Sequence, residues 1–289
     1  MHAVPRWRHL LEVTKPRVVA LIVFTAVVGM LLSVPGAVPL DRLLWGTLGI
    51  WLAAASAAAL NHLIDRRTDA RMSRTAHRPL PTGALGEREV VVLALLLGNA
   101  SMLLLWWLVN PLTAVLTFLS LIGYAFVYTV WLKHATPQNI VIGGAAGAAP
   151  PVLGWAAVRG EVDAGALLLF LIVFVWTPPH FWALAIERHK EYEKVGIPML
   201  PVTHGVEFTR TQVLLYTVLL VVVSLLPFVF GMSGPVYLAG ALALGAVFLN
   251  YAVRLKFAPV AGLPMRTFGY SIVYLGGIFT LLLLDHYLK

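Results

Sequence analysis

A dense cluster of polar and charged side chains follows a long apolar run. The stretch NHLIDRRTDARMSRTAHRP, residues 61–79, contains both carboxylates and many guanidinium groups. Asn61, Asp65 and Asp69 recur at every fourth position, so on a helix they would project from one face, about a turn apart. Oxygen ligands in such a row suit a hard cation such as Mg²⁺, which takes one or two protein carboxylates together with water and phosphate oxygens.

The arginines of the same stretch supply the opposite charge. Guanidinium groups make charge-assisted, bidentate hydrogen bonds to phosphate, so carboxylates and arginines together indicate a metal–diphosphate ligand. Basic loops also follow transmembrane helices for reasons of topology alone, and surface ion pairs contribute little stability. That alternative stays open for the individual arginines, whereas topology gives no reason for the acidic residues. The arginines concerned are Arg66, Arg67, Arg71, Arg74 and Arg78.

The composition places these residues in a membrane protein. Of 289 residues, 60% are hydrophobic and 12% charged, with a mean hydropathy of +0.85, whereas soluble domains are about 45–50% apolar and about 25% charged. The sequence contains no cysteine, which excludes disulfides, thiol chemistry and cysteine-ligated metals. Because no soluble linker interrupts the apolar runs, we expect one membrane-embedded domain, residues 1–289.

Nine apolar segments are long enough to cross a bilayer, which takes about 20 residues. Lipid offers no partner to exposed backbone polar groups, so each segment must be helical. Long charged loops after the second and sixth segments, and short basic connections after the fourth and eighth, indicate two four-helix units plus a ninth helix around a central cavity. We therefore predict an all-α polytopic membrane protein. The nine segments are residues 18–35, 43–62, 90–109, 112–132, 139–158, 164–186, 211–231, 235–253 and 268–286.

The distribution of basic residues predicts the orientation. All but three of the 21 Lys and Arg residues fall on one side of this arrangement, the exceptions being Arg42, Arg159 and Lys289. The positive-inside rule then places the N-terminus and residues 61–79 in the cytoplasm and the C-terminus outside a bacterial-type inner membrane. Topology thus accounts for most of the net charge of +8. Without a soluble basic domain, nucleic-acid binding is not expected.

Several motifs carry a family resemblance. NHLIDRRTDARMSRTAHRPLPTG resembles the first aspartate motif of the UbiA superfamily of intramembrane prenyltransferases. YTVWLKHATPQNIVIGGAAGAAPPVLGW, WTPPHFWALAI and EYEKVGIPMLPV resemble its protohaem IX farnesyltransferase (haem O synthase) branch. The similarity extends from Thr14-Lys15-Pro16-Arg17 to the seventh helix, which is most of the chain.

The resemblance implies a reaction and its participants. A farnesyl group would pass from farnesyl diphosphate to a vinyl group of haem B, with addition of water, to give haem O and diphosphate for haem-copper terminal oxidases. Mg²⁺ would be the cofactor and haem B a substrate. Haem A synthase or terminal oxidase assembly factors would be protein partners.

The resemblance also assigns roles to residues. Fixed cations aimed at the leaving group are often the largest catalytic contribution, so the diphosphate needs both metal and basic side chains. The expected metal ligands are Asn61, Asp65, Asp69 and Glu191. The expected diphosphate-binding residues are Arg74, Arg78, Lys133 and Lys190.

Two positions depart from the family pattern. Glu191 precedes Tyr192 where the family usually has aspartate, which keeps a carboxylate but alters the geometry of any metal site. His134 follows Lys133 where the family usually has arginine. Either Lys133 then carries more of any phosphate contact there, or the position is permissive.

An allylic cation needs a water-poor, electron-rich chamber, or water quenches it. Aromatic belts at membrane interfaces produce a similar pattern, and we assign Trp131 to such a belt. The candidate prenyl-binding or haem-binding tyrosines are Tyr124, Tyr128, Tyr192, Tyr270 and Tyr274.

Two histidines and a glycine-rich stretch have alternative interpretations. His180, within the sixth helix, could be an axial haem ligand, an acid or base, or a neutral side chain bonded to carbonyls freed by Pro178 and Pro179. His62 is the rival haem ligand, and the sequence does not choose between them. GGAAGAAPP, residues 143–151, favours close helix packing and a kink over a phosphate cradle.

Two other functions are compatible with the chain. One is a sister prenyltransferase that acts on a quinone or chlorin precursor. The other is a transporter of haem or lipid phosphates, but transporters commonly place polar residues near the membrane midplane on broken helices. The acidic residues here gather at one end of the predicted bundle, which favours a prenyltransferase.

Overall fold

The computed structural model describes residues 5–288, and within that range the chain is helical without any β-strand. Lys289, one of the three exceptions in the charge distribution, lies outside the described residues. The helices are α1 (Arg6–Val13), α2 (Pro16–Leu32), α3 (Leu40–Asp69), α4 (Glu87–Val109), α5 (Pro111–Ala135), α6 (Asn139–Arg159), α7 (Ala164–Glu187), α8 (His189–Lys194), α9 (Leu200–Thr203), α10 (Gly205–Val229), α11 (Pro235–Phe257) and α12 (Leu263–Leu288).

The predicted nine spans agree with this architecture. In the described residues, eight helices are long and apolar enough to cross a membrane, and α1 and α2, bent by 47° at their junction, bring the number to nine. Several helices extend beyond their apolar runs. The 30 residues of α3 rise roughly 45 Å, which exceeds the hydrocarbon thickness of about 30 Å. This length allows the polar residues in the last turns of α3 to lie beyond the apolar layer.

The helices close into a bundle. α3 packs against α2 and α4, α6 packs against α2 and α7, and α7 packs against α10 and α12. α12, the last spanning helix, also contacts α2, the first. The first and last spanning helices are therefore neighbours, which closes the bundle.

Glycines allow α2 and α6 to approach backbone to backbone. A Cβ at Gly154 would lie 1.9 Å from the carbonyl oxygen of Ala26, and a Cβ at Gly29 would lie 2.2 Å from that of Pro151. Small residues allow such contacts in membranes, where dispersion between closely packed helices drives association. This contact joins the first predicted four-helix unit, which contains α2, to the second, which contains α6.

The stretch 143–151 packs closely, and the helix is interrupted within it. A Cβ at Gly143 would lie 2.3 Å from the ring of Tyr128, so glycine at this position allows the close contact of α5 and α6 there. The helical hydrogen bonding of α6 is interrupted at Ala149, immediately before two prolines. The proline nitrogens cannot donate, which accounts for the break.

Candidate functional site

The end of α3 presents three buried oxygen-bearing side chains on one face. Asn61, Asp65 and Asp69 are 6%, 5% and 4% exposed. The amide nitrogen Nδ2 of Asn61 donates to Oδ2 of Asp65 at 2.9 Å, which is the contact expected of side chains one turn apart. The predicted row of ligands on a continuing helix is therefore present.

A cation from another part of the chain meets each aspartate. Nζ of Lys133, at the end of α5, lies 2.7 Å from Oδ1 of Asp65. A guanidinium nitrogen of Arg78, in the loop that follows α3, lies 2.6 Å from Oδ2 of Asp69. Buried carboxylates are costly unless they are paired, so these contacts stabilise the charged face. Both cations were expected at the diphosphate.

Lys15 is a third cation at this face, although the sequence predicted for it only a topological charge and a place in a family motif. Its ammonium donates to Oδ1 of Asn61 at 2.5 Å. Lys15 occupies the junction of α1 and α2 with φ 50°, the only non-glycine positive φ in the described residues. Strained backbone of this kind persists only where surrounding contacts hold it. The one sequence feature that could have predicted a site role for Lys15 was its place in the family motif Thr14-Lys15-Pro16-Arg17.

A stretch of π-helix positions Lys133 and the neighbouring polar groups. Residues Gly123–Leu132 within α5 form wide π turns, which occur often at functional sites. Within it, Thr129 donates to the carbonyl of Tyr124 at 2.8 Å and receives the amide of Asn61 at 3.3 Å. The π-helical segment thus ties α5 to the polar face of α3 directly before Lys133.

The second long loop reaches the same end of the bundle. Oε1 of Glu191 accepts from Arg188 at 2.9 Å, and Oε2 accepts from the backbone N–H of Arg74 at 3.5 Å. Partial burial opposes ionisation, but hydrogen bonds from Ser73, Arg188 and the Arg74 backbone hold the pKa of Glu191 below its usual range. The buried Tyr192 also bonds with Arg74. Both long charged loops thus lie at the same end of the bundle.

The oxygen donors can be compared with the needs of a metal ion. Across residues 5–288, no three acidic or histidine side chains lie close enough together to form a metal cluster by themselves. Glu191 is therefore not joined to Asp65 and Asp69 in one protein cage. Mg²⁺ requires only one or two carboxylates when phosphate oxygens and water complete its shell. The row on α3 fits that requirement.

Not all basic residues of the cluster face the acidic row. Arg66 pairs with Glu87 at 2.5 Å, which is the surface ion pair expected of a topological charge. Lys133 is largely buried, whereas the adjacent His134 is exposed, so the departure at position 134 does not alter the cation that meets Asp65. Among the other basic residues considered for the site, four are exposed: Arg67, Arg71, Arg74 and Lys190.

The candidate tyrosines divide into two groups. Tyr124 and Tyr128 stack at 5.7 Å on the π-helical segment, within electrostatic range of Asp65. Tyr270 and Tyr274 instead lie in the packing between α10, α11 and α12. Their hydroxyl groups donate to the Leu244 carbonyl and the Ser224 hydroxyl, at 2.9 and 2.8 Å.

The two candidate histidines have different surroundings. His62 is 3% exposed, and its Nδ1 has no hydrogen-bond partner among the described residues. His180 is 8% exposed, and its Nδ1 lies 2.6 Å from the hydroxyl of Ser271 on α12. His180 thus bonds to a side chain. Among the described residues it makes no hydrogen bond to the carbonyls freed by the prolines.

Comparison with known proteins shows the family to which this chain is similar. Residues 22–278 match the UbiA prenyltransferase family. A protohaem IX farnesyltransferase of Methylococcus capsulatus is 61% identical over 98% of this chain and 95% of its own. One of Nitrosococcus oceani is 60% identical over 99% of this chain and 96% of its own.

Solved structures share the fold at lower identity. A digeranylgeranylglyceryl phosphate synthase superposes with a TM-score of 0.81 at 17% identity, covering 98% of this chain and 99% of the other. A UbiA homologue from Archaeoglobus fulgidus, bound to DMAPP and Mg²⁺, superposes with a TM-score of 0.66 at 18% identity, covering 94% and 98%. The helical bundle described above is therefore a UbiA fold.

Proposed function

The chain belongs to the UbiA prenyltransferase family, and we propose that it is a protohaem IX farnesyltransferase. It transfers the farnesyl group of farnesyl diphosphate to a vinyl group of haem B, adds water, and releases haem O and diphosphate. Relatives of that name match nearly its whole length at about 60% identity. The structural observation that supports the activity is the buried row Asn61, Asp65 and Asp69, each in contact with a cation.

The buried row supports a role in holding and neutralising a diphosphate. Asn61, Asp65 and Asp69 would hold Mg²⁺, and Glu191 on the second loop, which lies outside that row, would be a ligand on the opposite side of the diphosphate. When bound, Mg²⁺ supplies Lewis-acid neutralisation of the leaving group. Lys15, Lys133 and Arg78 would donate to the phosphate oxygens. These cations compensate the carboxylates in the free protein and would stabilise the negative charge that develops on the leaving diphosphate.

The aromatic part of the site supports the carbon chemistry. As the C1–O bond of farnesyl diphosphate breaks, its electron pair leaves on the diphosphate. The vinyl π electrons of haem B form the new bond to C1, water adds to the resulting cation beside the porphyrin, and a proton departs. Tyr124 and Tyr128 would exclude other water and present π faces to the allylic cation. Tyr192, Tyr270 and Tyr274 remain candidates for lining the substrates.

The location and partners follow from the same proposal. The chain is an integral membrane protein, and we place its N-terminus and both long loops in the cytoplasm of a bacterial-type cell because nearly all basic residues lie at that end. Water-soluble diphosphate would then enter and leave from the cytoplasm. Haem A synthase or terminal oxidase assembly factors are the proposed recipients of haem O.

The proposed function has a direct test. Purified protein in lipid nanodiscs is supplied with haem B, farnesyl diphosphate and Mg²⁺, and the porphyrin products are followed by mass spectrometry. We expect a product with the added mass of one farnesyl group and one hydroxyl group, and its loss in Asp65→Asn. A parallel reaction contains an aromatic quinone precursor in place of haem. Prenylation of that precursor without any change in haem mass would reject the proposal in favour of a sister prenyltransferase.

A further inference from the structure

Ser271 connects α12 to two aromatic side chains of α7 within the membrane. Its backbone carbonyl accepts from the indole nitrogen Nε1 of Trp176 at 2.7 Å. Its hydroxyl oxygen lies 2.6 Å from Nδ1 of His180 and 2.6 Å from the carbonyl oxygen of Phe268. Ser271 is fully buried, so solvent water does not share these contacts.

The two short contacts of the Ser271 hydroxyl fix where the protons lie. A hydroxyl has one hydrogen, and the carbonyl of Phe268 can only accept. If that hydrogen pointed at His180, the two oxygens would face each other at 2.6 Å with no proton between them. Both contacts are satisfied only if Ser271 donates to Phe268 and Nδ1–H of His180 donates to Ser271. In the neutral imidazole, Nε2 of His180 then carries a bare lone pair.

The surroundings also hold the imidazole ring in one orientation. Trp176 stacks on His180 at 4.2 Å and Phe268 at 4.5 Å, both within 25° of parallel. The ring cannot turn about its bond to Cβ without disrupting these stacks. Among the described residues, the only hydrogen-bond contact of the ring is the one at Nδ1. The acceptor Nε2 is thus oriented but has no protein partner.

An oriented imidazole with one nitrogen bonded and the other bare is the usual arrangement of a metal-binding histidine. The geometry points to Ser271 as a positioning residue that holds His180 in the tautomer whose Nε2 binds the iron of the haem substrate. This inference rests on the proposed function for the identity of the ligand. It also separates His180 from His62, whose Nδ1 has no such partner.

Haem spectroscopy on the full chain in nanodiscs tests the inference. Ferric haem is titrated in, and its absorption and electron paramagnetic resonance spectra are recorded. We expect a histidine-ligated spectrum that is lost in His180→Ala and restored by added imidazole. Ser271→Ala frees the ring from its tautomer and should weaken haem affinity by about tenfold to a hundredfold, as loss of a partner to a metal-binding histidine does.

A second buried serine provides the matched control. Ser101 is also fully buried, and its hydroxyl donates to the Gly49 carbonyl at 2.7 Å between α4 and α3. Ser101→Ala removes a comparable hydrogen bond and should leave the haem spectrum and affinity unchanged. If Ser271→Ala and Ser101→Ala lower affinity equally, the role of Ser271 is structural and the inference fails.

The outcomes distinguish this inference from the proposed function. A wild-type spectrum retained by His180→Ala, while wild-type protein still makes haem O, would reject iron ligation and leave the function intact. Absence of haem O from wild-type reactions would instead reject the function. A protein that binds no ferric haem would also overturn the inference.

Discussion

Nζ of Lys133 lies 2.7 Å from Oδ1 of Asp65, and both side chains are largely buried. The two residues come from different spanning helices, α5 and α3, and their contact forms where the π-helical turns of α5 end. This ion pair joins two parts of the site that are distant in the sequence. The neighbouring His134 is exposed and takes no part in this ion pair.

Lys133→Met should destabilise the protein by about 3 kcal/mol, because it leaves the Asp65 carboxylate buried without its partner. Thermal unfolding in detergent measures the effect. The double variant Asp65→Asn with Lys133→Met should recover much of the loss. Lys190→Met, at an exposed lysine, is the matched control. Equal melting of Lys133→Met and Lys190→Met would show that the buried pair contributes nothing to stability.

Asp65→Asn and Asp69→Asn keep the side-chain shape but remove the charge. Each should lower turnover by at least about two orders of magnitude if the carboxylate holds Mg²⁺ opposite the diphosphate. Folding should be preserved, which circular dichroism checks. Turnover is measured across a Mg²⁺ titration, and near-normal activity of either variant would identify that aspartate as a structural ion pair only.

Glu191→Gln should lower turnover and weaken its dependence on Mg²⁺ together, whereas Glu191→Asp should be mild, within roughly tenfold of wild type. Glu187 and Glu193 are both exposed, unlike the partly buried Glu191, and provide controls of the same chemistry. Glu187→Gln and Glu193→Gln should retain activity. Full activity in Glu191→Gln with a loss in either neighbour would show that the second carboxylate site lies elsewhere.

Reporter fusions test the orientation of the bundle. The contact between Glu191 and Arg74 places the two long loops at one end, and the basic residues indicate that this end is cytoplasmic. Reporters placed after Arg78 and after Lys194 should therefore both report the cytoplasm, and a reporter at the C-terminus should report the outside. A periplasmic signal from either loop fusion would contradict the topology.

Gly154→Ala should destabilise the protein by about 1–3 kcal/mol or prevent its folding, because the new Cβ would lie 1.9 Å from a backbone oxygen of α2. Gly147, in the same helix, has nothing within 4 Å of the place that a new methyl group would take, so Gly147→Ala is the matched control. That control should be neutral or slightly stabilising, since alanine favours helix more than glycine. Equal stability of both variants would mean that α2 and α6 can separate without cost.

Local and periodic features were readable from the sequence. The apolar runs predicted the spans because a helix is the only way for one segment to satisfy its own backbone in lipid. The spacing of Asn61, Asp65 and Asp69 predicted a shared helix face because it matches the helical repeat. The packing role of residues 143–151 followed from residue size, and the structure confirms it at Gly143.

Pairings between distant segments were decided only by the tertiary structure. Nothing local to Lys15 or Lys133 indicates which oxygen each ammonium meets, because that depends on how α2, α3 and α5 pack. The same holds for Ser271, an ordinary helical serine until α12 places it against His180. Sequence periodicity specifies which face of a helix is polar, but the choice of partner arises from side-chain packing between helices, which no single segment encodes.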